Sequence, residues 1–235
     1  MVQLSSDLIR GRFQRRLNRF AALMEVSGKV EMVHIANSGR LGELLMPDYE
    51  MILTPVNGTH RKCPYDLTLV DTGKALVSLD SRLPNQLFEE AFKVGSLSDF
   101  TGYQFISREI TYGESRIDIL LHGLAGDCFV ETKSVTLVEN EIARFPDAPT
   151  SRGVKHLNHL SAAKSNGYAA AIVFVVQRSD VSLMQLDYKS DPDFVEALER
   201  AVKNDVKVFA YSCDITSSNI SLSSRIPVDL NRKFW

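Results

Sequence analysis

Two acidic residues and a lysine, on two consecutive strand-like runs, are the groups in this chain best suited to chemistry. Glu131 and Lys133 are two residues apart, and Asp118 lies on the preceding run, before a short polar loop. Because side chains alternate across a strand, Glu131 and Lys133 should project from one face about 7 Å apart, while Thr132 turns away. With Asp118 on that face, two carboxylates would meet one ammonium group. Hydrolysis of phosphodiesters with Mg²⁺ or Mn²⁺ needs such oxygen ligands and a cation that positions water.

The same residues also fit a plain salt bridge between exposed charges on neighbouring strands, which contributes little stability. Alternation along the first strand predicts Asp118 on the face opposite Ile117 and Ile119. A polar group at the mouth of an otherwise apolar face is typical of a site. The residues alone leave both interpretations open.

A helix predicted from Asn85 to Val94 could bring a third acid to the site. Its apolar stripe contains Leu87, Phe88, Ala91 and Val94. At about 100° per residue, Glu90 borders this stripe and Glu89 faces water. Glu90 could therefore reach a site at the sheet edge, or it is an ordinary solvated glutamate.

Basic residues form clusters that would suit a phosphate backbone, with aromatic side chains nearby on which bases could stack. The clusters are Arg10, Arg12, Arg15, Arg16 and Arg19 beside Phe13 and Phe20, then Asn37-Ser38-Gly39-Arg40, His60-Arg61-Lys62, and Arg152, Lys155 and His156 on a predicted helix. Each cluster also fits a solvated surface. His156 is nearest the apolar edge of its helix, where a histidine more often packs with a hydrogen bond than binds a ligand.

Composition limits the class of protein. The 235 residues, 44% of them hydrophobic, suffice for one large or two small domains, and the net charge of −2 means that nucleic-acid binding would need a local basic patch. Three separated cysteines without a Cys-x-x-Cys pair indicate reduced thiols in a cytosolic protein. Neither a signal peptide nor a membrane span is expected. Without a Gly-rich Rossmann turn or a Walker A sequence, no nucleotide cofactor is predicted.

Turn signals divide the chain into two predicted domains, 1–82 and 83–235. The first contains short strand-like runs that predict a small antiparallel barrel or sandwich: Ala21 to Val26, Val30 to Ile35, Met51 to Pro55, Asp66 to Asp71 and Ala75 to Leu79. The second mixes strands and helices, which predicts an α/β domain with a mixed sheet. Its predicted elements after the first helix are strands at Glu109 to Tyr112, Arg116 to Leu121 and Cys128 to Lys133, a helix capped by Thr150, a buried central strand from Tyr168 to Gln177, a helix capped by Asp191, and a strand from Val206 to Tyr211.

At these motifs the chain resembles the sugar fermentation stimulation protein A (SfsA) family almost end to end. The blocks that carry the resemblance are Gly11-Arg12-Phe13, Leu83-Pro84-Asn85, Ser115-Arg116-Ile117-Asp118, Glu131-Thr132-Lys133-Ser134-Val135-Thr136-Leu137, Phe145-Pro146-Asp147-Ala148 and Thr150-Ser151-Arg152-Gly153 with Lys155-His156-Leu157. Thr132 stands where the family usually has Val, and Ser38 and Val154 where Thr and Gln are expected.

The resemblance implies an N-terminal OB-like β-barrel followed by a PD-(D/E)xK, restriction-endonuclease-like α/β domain in a DNA-binding protein. It also implies that Asp118, Glu131 and Lys133 match the nuclease core, and that Glu90 matches the acid that the first helix often supplies. On this hypothesis, Asp118, Glu131 and the Thr132 carbonyl hold Mg²⁺ or Mn²⁺, and Glu90 anchors a water at the metal. Lys133 orients the attacking hydroxide.

The resulting hypothesis is a cytosolic, two-domain DNA-binding protein with a metal-dependent phosphodiesterase site, without a membrane partner and with a homodimer left open. The basic residues that would hold DNA are Arg12, Arg16, Arg19, Arg40, Arg61, Lys62, Arg152, Lys155 and His156. One alternative is a non-catalytic DNA-binding regulator of sugar utilisation that retains the nuclease fold. Another is a structural partner protein with no nucleic-acid role.

Overall fold

Seventeen strands and three α-helices make up the part of the chain that a computed structural model describes, which is residues 1–58, 61–113 and 115–230. His60 of the predicted basic cluster lies outside these residues. In chain order the elements are β1 (Val2–Gln3), β2 (Ile9–Asn18), β3 (Ala21–Val26), β4 (Lys29–His34), β5 (Glu50–Pro55), β6 (Tyr65–Asp71), β7 (Leu76–Ser78), α1 (Leu83–Lys93), β8 (Tyr103–Tyr112), β9 (Ser115–Gly123), β10 (Cys128–Val135), β11 (Val138–Glu139), β12 (Ile142–Phe145), α2 (Ser151–Ser165), β13 (Ala169–Val176), β14 (Leu183–Leu186), α3 (Pro192–Lys203), β15 (Lys207–Ile215), β16 (Asn219–Ile226) and β17 (Val228–Asp229).

The N-terminal strands close into a five-stranded barrel. The pairing order is β4-β3-β2-β5-β6, and a parallel pairing of β4 with β6 completes the circle, with β7 added outside it next to β6. Inward side chains such as Met24, Leu53 and Leu67 are almost fully buried. The sequence did not indicate β2 as a strand, because its arginines are mostly exposed and Gly11 is its only buried residue. Closure of the barrel confirms the expected OB-like architecture.

A seven-stranded mixed sheet forms the centre of the C-terminal unit, in the order β1-β16-β15-β13-β10-β9-β8. β10, β13 and β15 are parallel to one another, and the outer strands are antiparallel. β13 is apolar throughout and buried from Ala170 to Val176, since helices cover both faces of the sheet. The prediction of a mixed sheet with this strand at its centre is confirmed.

Helices cover the two faces of this sheet. On one face, Leu87 and Phe88 of α1 share an apolar core with Val130 and Val173. On the other face, α2 and α3 pack against the opposite side of β10 and β13. Both predicted caps are present: Thr150 Oγ1 accepts the Gly153 N–H at 3.1 Å, and Asp191 Oδ1 accepts the Phe194 N–H at 3.1 Å.

Several elements were not predicted. β16 and the small sheet β11-β12-β14-β17 escaped detection because their strands are short or mostly polar. β1 pairs with β16, so residues 2–3 join the C-terminal sheet, whereas the predicted division put them in the barrel. We therefore propose that the C-terminal unit includes this first strand.

The two units contact each other through polar bonds as well as apolar packing. Ser78 N–H donates to the Gln177 carbonyl at 3.0 Å, and Gln177 Nε2 donates back to the Ser78 carbonyl at 3.3 Å. The Arg40 N–H donates to Asp147 Oδ2 at 2.9 Å. A Cβ on Gly39 would lie 2.3 Å from the same oxygen, so only glycine fits this approach.

Among the described residues, no helix combines the length and the apolar character that crossing a membrane would require.

Candidate functional site: a carboxylate pair where two strands separate

Asp118 and Glu131 lie at the point where β9 and β10 stop pairing. The last paired residues are Ile119 and Val130, so the next position on each strand is a carboxylate without a ladder partner on the other. The Asp118 carboxylate replaces that pairing, since its Oδ2 accepts the Thr132 N–H at 3.1 Å. The two acids therefore flank the opening between the two adjacent strands.

Glu131 is buried and held by two nitrogen groups. Its side chain is 3% exposed, and Oε1 contacts both Lys133 Nζ, at 2.5 Å, and His156 Nδ1. Burial alone would raise the pKa of Glu131, but Lys133 and His156 more than offset it and hold the pKa below its usual value. Glu131 is therefore ionised at neutral pH. The contact also agrees with the prediction that Glu131 and Lys133 project from one face.

Asp118 experiences the opposite balance. Burial raises the pKa of Asp118, and the negative charge of Glu131 raises it further, although Lys133 and two hydrogen bonds act in the other direction. A pair of carboxylates in which one pKa is raised by the other has negative charge that a cation would stabilise. Among the residues that the structure describes, no group of three His, Cys, Asp or Glu side chains is arranged to hold a metal ion.

The alternation predicted along β9 is wrong at one point. Ile117 packs in the core beneath α2, whereas Ile119 packs on the opposite side, beneath α1. Regular alternation would have put both on one face. The neighbouring β8 is irregular at the same level: Glu109 has a φ of 57°, and no Cα pairing connects it to Asp118. Asp118 therefore lies at a break in the strand rather than within a regular ladder.

Thr132 is closer to the site than predicted. Its side chain does turn to the face opposite Glu131, but there its hydroxyl donates to Asn85 Oδ1, on the first turn of α1. The same hydroxyl lies 3.5 Å from Asp118 Oδ2, and the Asn85 amide opposes the rise in the pKa of Asp118 that burial causes. Sequence reasoning missed Asn85 as a site residue, because no spacing connects positions so far apart in the chain.

Glu90 does not reach the carboxylate pair. Its Oε2 lies 3.3 Å from the amino group of Met1, and the strand that begins there, β1, pairs with β16 near the edge of the sheet opposite β9. The sequence interpretation counted Val94 in the apolar stripe, but Val94 is 73% exposed and α1 ends before it. Glu90 borders the stripe as predicted, on the side away from Asp118.

Asn85 and Glu89 are the α1 residues on the side of the site. They are four positions apart, about 40° around the helix, whereas Asn85 and Glu90 are about 140° apart. Glu89, predicted to face water, instead forms ion pairs with Lys93 and with Arg108 on β8.

On α2, His156 is buried against the site, whereas Arg152 is exposed. The His156 ring is 9% exposed, with Nδ1 at Glu131 and Nε2 accepting from Arg152 Nε at 3.2 Å. The ring is thus buried and both of its nitrogens are bonded within the protein, so we propose that His156 supports Glu131 rather than contacting DNA. Arg152 and Lys155 are exposed on α2.

A cleft of about 720 Å³ lies between the barrel and the C-terminal unit, next to the site. Arg16, Arg19 and Arg40 line it from the barrel, and Ser134, the residue after Lys133, lines it from β10. Three of the predicted arginines thus line one cleft, whereas Asp118, Glu131 and Lys133 are not among its lining residues.

Arg16 has a structural role in this cleft. Its guanidinium donates to the carbonyl oxygens of Asn18, Arg19, Asn37 and Arg40, which fixes two barrel loops relative to each other. Burial lowers the pKa of Arg16, and the nearby Asp147 opposes that shift. Arg19 and Arg40 are exposed and so free to contact a ligand.

The remaining predicted basic residues lie elsewhere. Arg12 lines a separate depression of about 220 Å³ that also contains Glu25 and Glu50. Arg61 pairs with Asp66, and Lys62 is exposed beside it. These residues do not line the cleft.

Comparisons with known proteins agree with this architecture. Residues 15–79 match the family model described as the SfsA N-terminal OB domain, and residues 82–219 match the model described as the sugar fermentation stimulation protein RE domain. Two relatives are each called sugar fermentation stimulation protein homolog. That of Caldanaerobacter subterraneus subsp. tengcongensis is 39% identical over 227 residues, covering 97% of this chain and 99% of the relative. That of Moorella thermoacetica is 42% identical over 232 residues, covering 98% and 100%.

A solved structure is also similar over the whole chain. It is described as Pyrococcus furiosus SfsA in complex with Ca²⁺, and it superimposes with a TM-score of 0.87 at 33% identity, covering 97% of this chain and 99% of that one. The expected fold, an OB barrel followed by a restriction-endonuclease-like α/β domain, is confirmed. The chain therefore belongs to the sugar fermentation stimulation protein (SfsA) family.

Proposed function

We propose that this protein binds DNA and hydrolyses phosphodiester bonds with a divalent metal ion, Mg²⁺ or Mn²⁺. The observation that supports the proposal is the position of Asp118, Glu131 and Lys133 at the opening between β9 and β10, with the next residue of β10, Ser134, lining an arginine-lined cleft. A salt bridge on a sheet surface would not explain a carboxylate whose pKa is raised by its own burial and further by a second, buried carboxylate.

The donor set fits a hard divalent cation. Two carboxylates supply oxygen ligands, and both nitrogen contacts of Glu131 fall on Oε1, which leaves Oε2 for the metal. The Thr132 carbonyl and water would complete the coordination. A relative that covers nearly this entire chain is described as a complex with Ca²⁺, which also prefers oxygen ligands. When bound, the metal would polarise the phosphoryl oxygen and activate water.

The residues of this chain would then position and stabilise the reactants. The Lys133 ammonium group, fixed by Glu131, would lie beside the reacting phosphate and stabilise its negative charge. His156 holds Glu131 from α2, so the Glu131 carboxylate cannot rotate freely. We assign no role in the site to Glu90, because its carboxylate pairs with the chain's own amino group.

We propose that the DNA strand follows the cleft. Arg19 and Arg40 would contact phosphates, and Phe20, 51% exposed on the turn after β2, could stack on a base. Arg152 and Lys155 would extend this basic surface along α2.

We further propose a cytoplasmic location. Cys63, Cys128 and Cys213 are all free thiols, which fits a reducing compartment. The connection to sugar utilisation implied by the family name would then be an indirect consequence of acting on DNA.

The test is a gel assay with single-stranded, duplex and branched DNA, each with Mg²⁺ or Mn²⁺ and with EDTA. We expect metal-dependent cleavage of at least one substrate, abolished in Asp118→Asn with DNA binding retained. Glu90→Gln is the matched control and should cleave at the wild-type rate. If the protein binds DNA but cleaves none of the three substrates, the result would instead support a non-catalytic regulator. Undiminished cleavage by Asp118→Asn would contradict the assignment of the site.

A further inference from the structure

A side-chain amide connects α1 to the carboxylate pair. Asn85 is on the first turn of α1, where Leu83 and Pro84 begin the helix. Its Oδ1 accepts a hydrogen bond from the Thr132 hydroxyl, which also lies 3.5 Å from Asp118 Oδ2, and the Asn85 amide opposes the rise in the pKa of Asp118 that burial causes. Asn85 thus contacts both strands that supply the site.

The direction of these two bonds is fixed by chemistry. An ionised carboxylate only accepts hydrogen bonds, so the Asn85 Nδ2 group must face Asp118. Asn85 Oδ1 therefore faces Thr132, whose hydroxyl can donate to it. With Thr132 as the donor to Oδ1, the amide has one stable orientation, and its oxygen is not available to a metal.

Asp118 needs such support because it lies where strand pairing has ended. The Thr132 N–H donates to Asp118 Oδ2 at 3.1 Å, and the Asn85 amide, which opposes the rise in the pKa of Asp118 that burial causes, would be the second donor, from a different element. Two donors on separate elements restrict rotation of a carboxylate that one donor alone would leave free to turn.

We propose that Asn85 is a positioning residue of the site, oriented by Thr132, and that Asn85 rather than Glu90 is the α1 residue that acts on the carboxylate pair. This inference rests on the proposed function, because it assumes that Asp118 is a metal ligand. Asn85 acts through Asp118 and touches neither metal nor substrate. Removing it should therefore weaken metal binding without unfolding the protein.

The test is titration calorimetry of the full chain with Mn²⁺ in the absence of DNA. We expect Asn85→Ala to bind Mn²⁺ about 10- to 100-fold more weakly than wild type, as is usual when the hydrogen-bond partner of a metal ligand is removed. Gln86→Ala is the control, because Gln86 is an exposed amide on the same helix turn; its affinity should be unchanged. Thermal unfolding without metal should show that both variants fold.

A double-variant cycle separates positioning from general loosening. Thr132→Val should weaken Mn²⁺ binding less than Asn85→Ala does, and the double variant should lose less affinity than the sum of the two single losses, since the hydroxyl orients the amide and also lies 3.5 Å from Asp118 Oδ2. If catalysis is measurable, kcat should fall with little change in KM.

Each outcome decides a specific claim. A wild-type chain that binds no Mn²⁺ would overturn the proposed metal site and this inference with it. If wild type binds and Asp118→Asn does not, but Asn85→Ala binds like wild type, the inference about Asn85 alone is wrong. Additive losses in the cycle would contradict the coupling of Thr132 to Asn85.

Discussion

Replacing Lys133 by Met tests the electrostatics of the site without a DNA assay. The substitution keeps most of the apolar stem but removes the ammonium group 2.5 Å from Glu131 Oε1. Burial has the largest single effect on the pKa of Glu131 and raises it, and among the groups that lower this pKa Lys133 has the largest effect. Without Lys133, burial should dominate and raise the pKa of Glu131 above its unfolded value.

The magnitude depends on how much of the pair remains. Removing one partner of a fully buried ion pair costs about 3–5 kcal/mol. Here the Lys133 side chain is 14% exposed and His156 still contacts Glu131, so we expect Lys133→Met to lower the free energy of unfolding by about 3 kcal/mol at pH 7.5. For a chain of this size, that lowers Tm by about 6–12 °C.

The pH dependence distinguishes electrostatics from lost packing. In wild type, the lowered pKa of Glu131 gives stability that is present above the unfolded pKa and lost as pH falls through the folded pKa. In Lys133→Met, the raised pKa would make the protein lose stability as pH rises through the folded pKa. The difference in unfolding free energy between wild type and Lys133→Met should therefore shrink to about 1 kcal/mol near pH 4.5.

Scanning calorimetry of both proteins at pH 4.5 and 7.5 measures this difference. Lys155→Met is the matched control, because Lys155 is exposed on α2 nearby, and its effect should stay within about 0.5 kcal/mol at either pH. An equal loss of stability at both pH values would refute the reasoning, since packing rather than charge would then explain the effect.

Three further substitutions test other parts of the structure. Asp191→Ala should lower the free energy of unfolding by about 2–3 kcal/mol, because this buried carboxylate caps α3 at Phe194 and accepts a second N–H from the start of α2. A loss below about 0.5 kcal/mol, typical of a surface substitution, would contradict this double capping role. Gly39→Ala should lower Tm through its clash with Asp147, and adding Asp147→Ala should recover part of that loss; a double variant less stable than both single ones would contradict the clash. Arg19→Ala should reduce the slope of log affinity for DNA against log salt by about 1, which an unchanged slope would disprove.

Much of the fold follows from local sequence signals. The apolar run of β13 and the caps Thr150 and Asp191 predict their elements, because burial on both faces and helix capping leave local patterns. β2 and β16 leave no such pattern, because exposed polar residues hide their alternation. Pairing between distant strands, not local preference, keeps them in place.

The sequence by itself determined that Glu131 and Lys133 lie on one face of a strand, because that follows from alternation over two residues. Only the tertiary structure decided which other groups join them. Asn85 and His156 reach the site from two helices on opposite faces of the sheet. Glu90, on the same helix as Asn85, points away from the site, toward the amino group of Met1. The helical period predicts the direction in which a side chain leaves the axis of its helix. Which residues that side chain contacts depends on how the helix axis lies across the sheet.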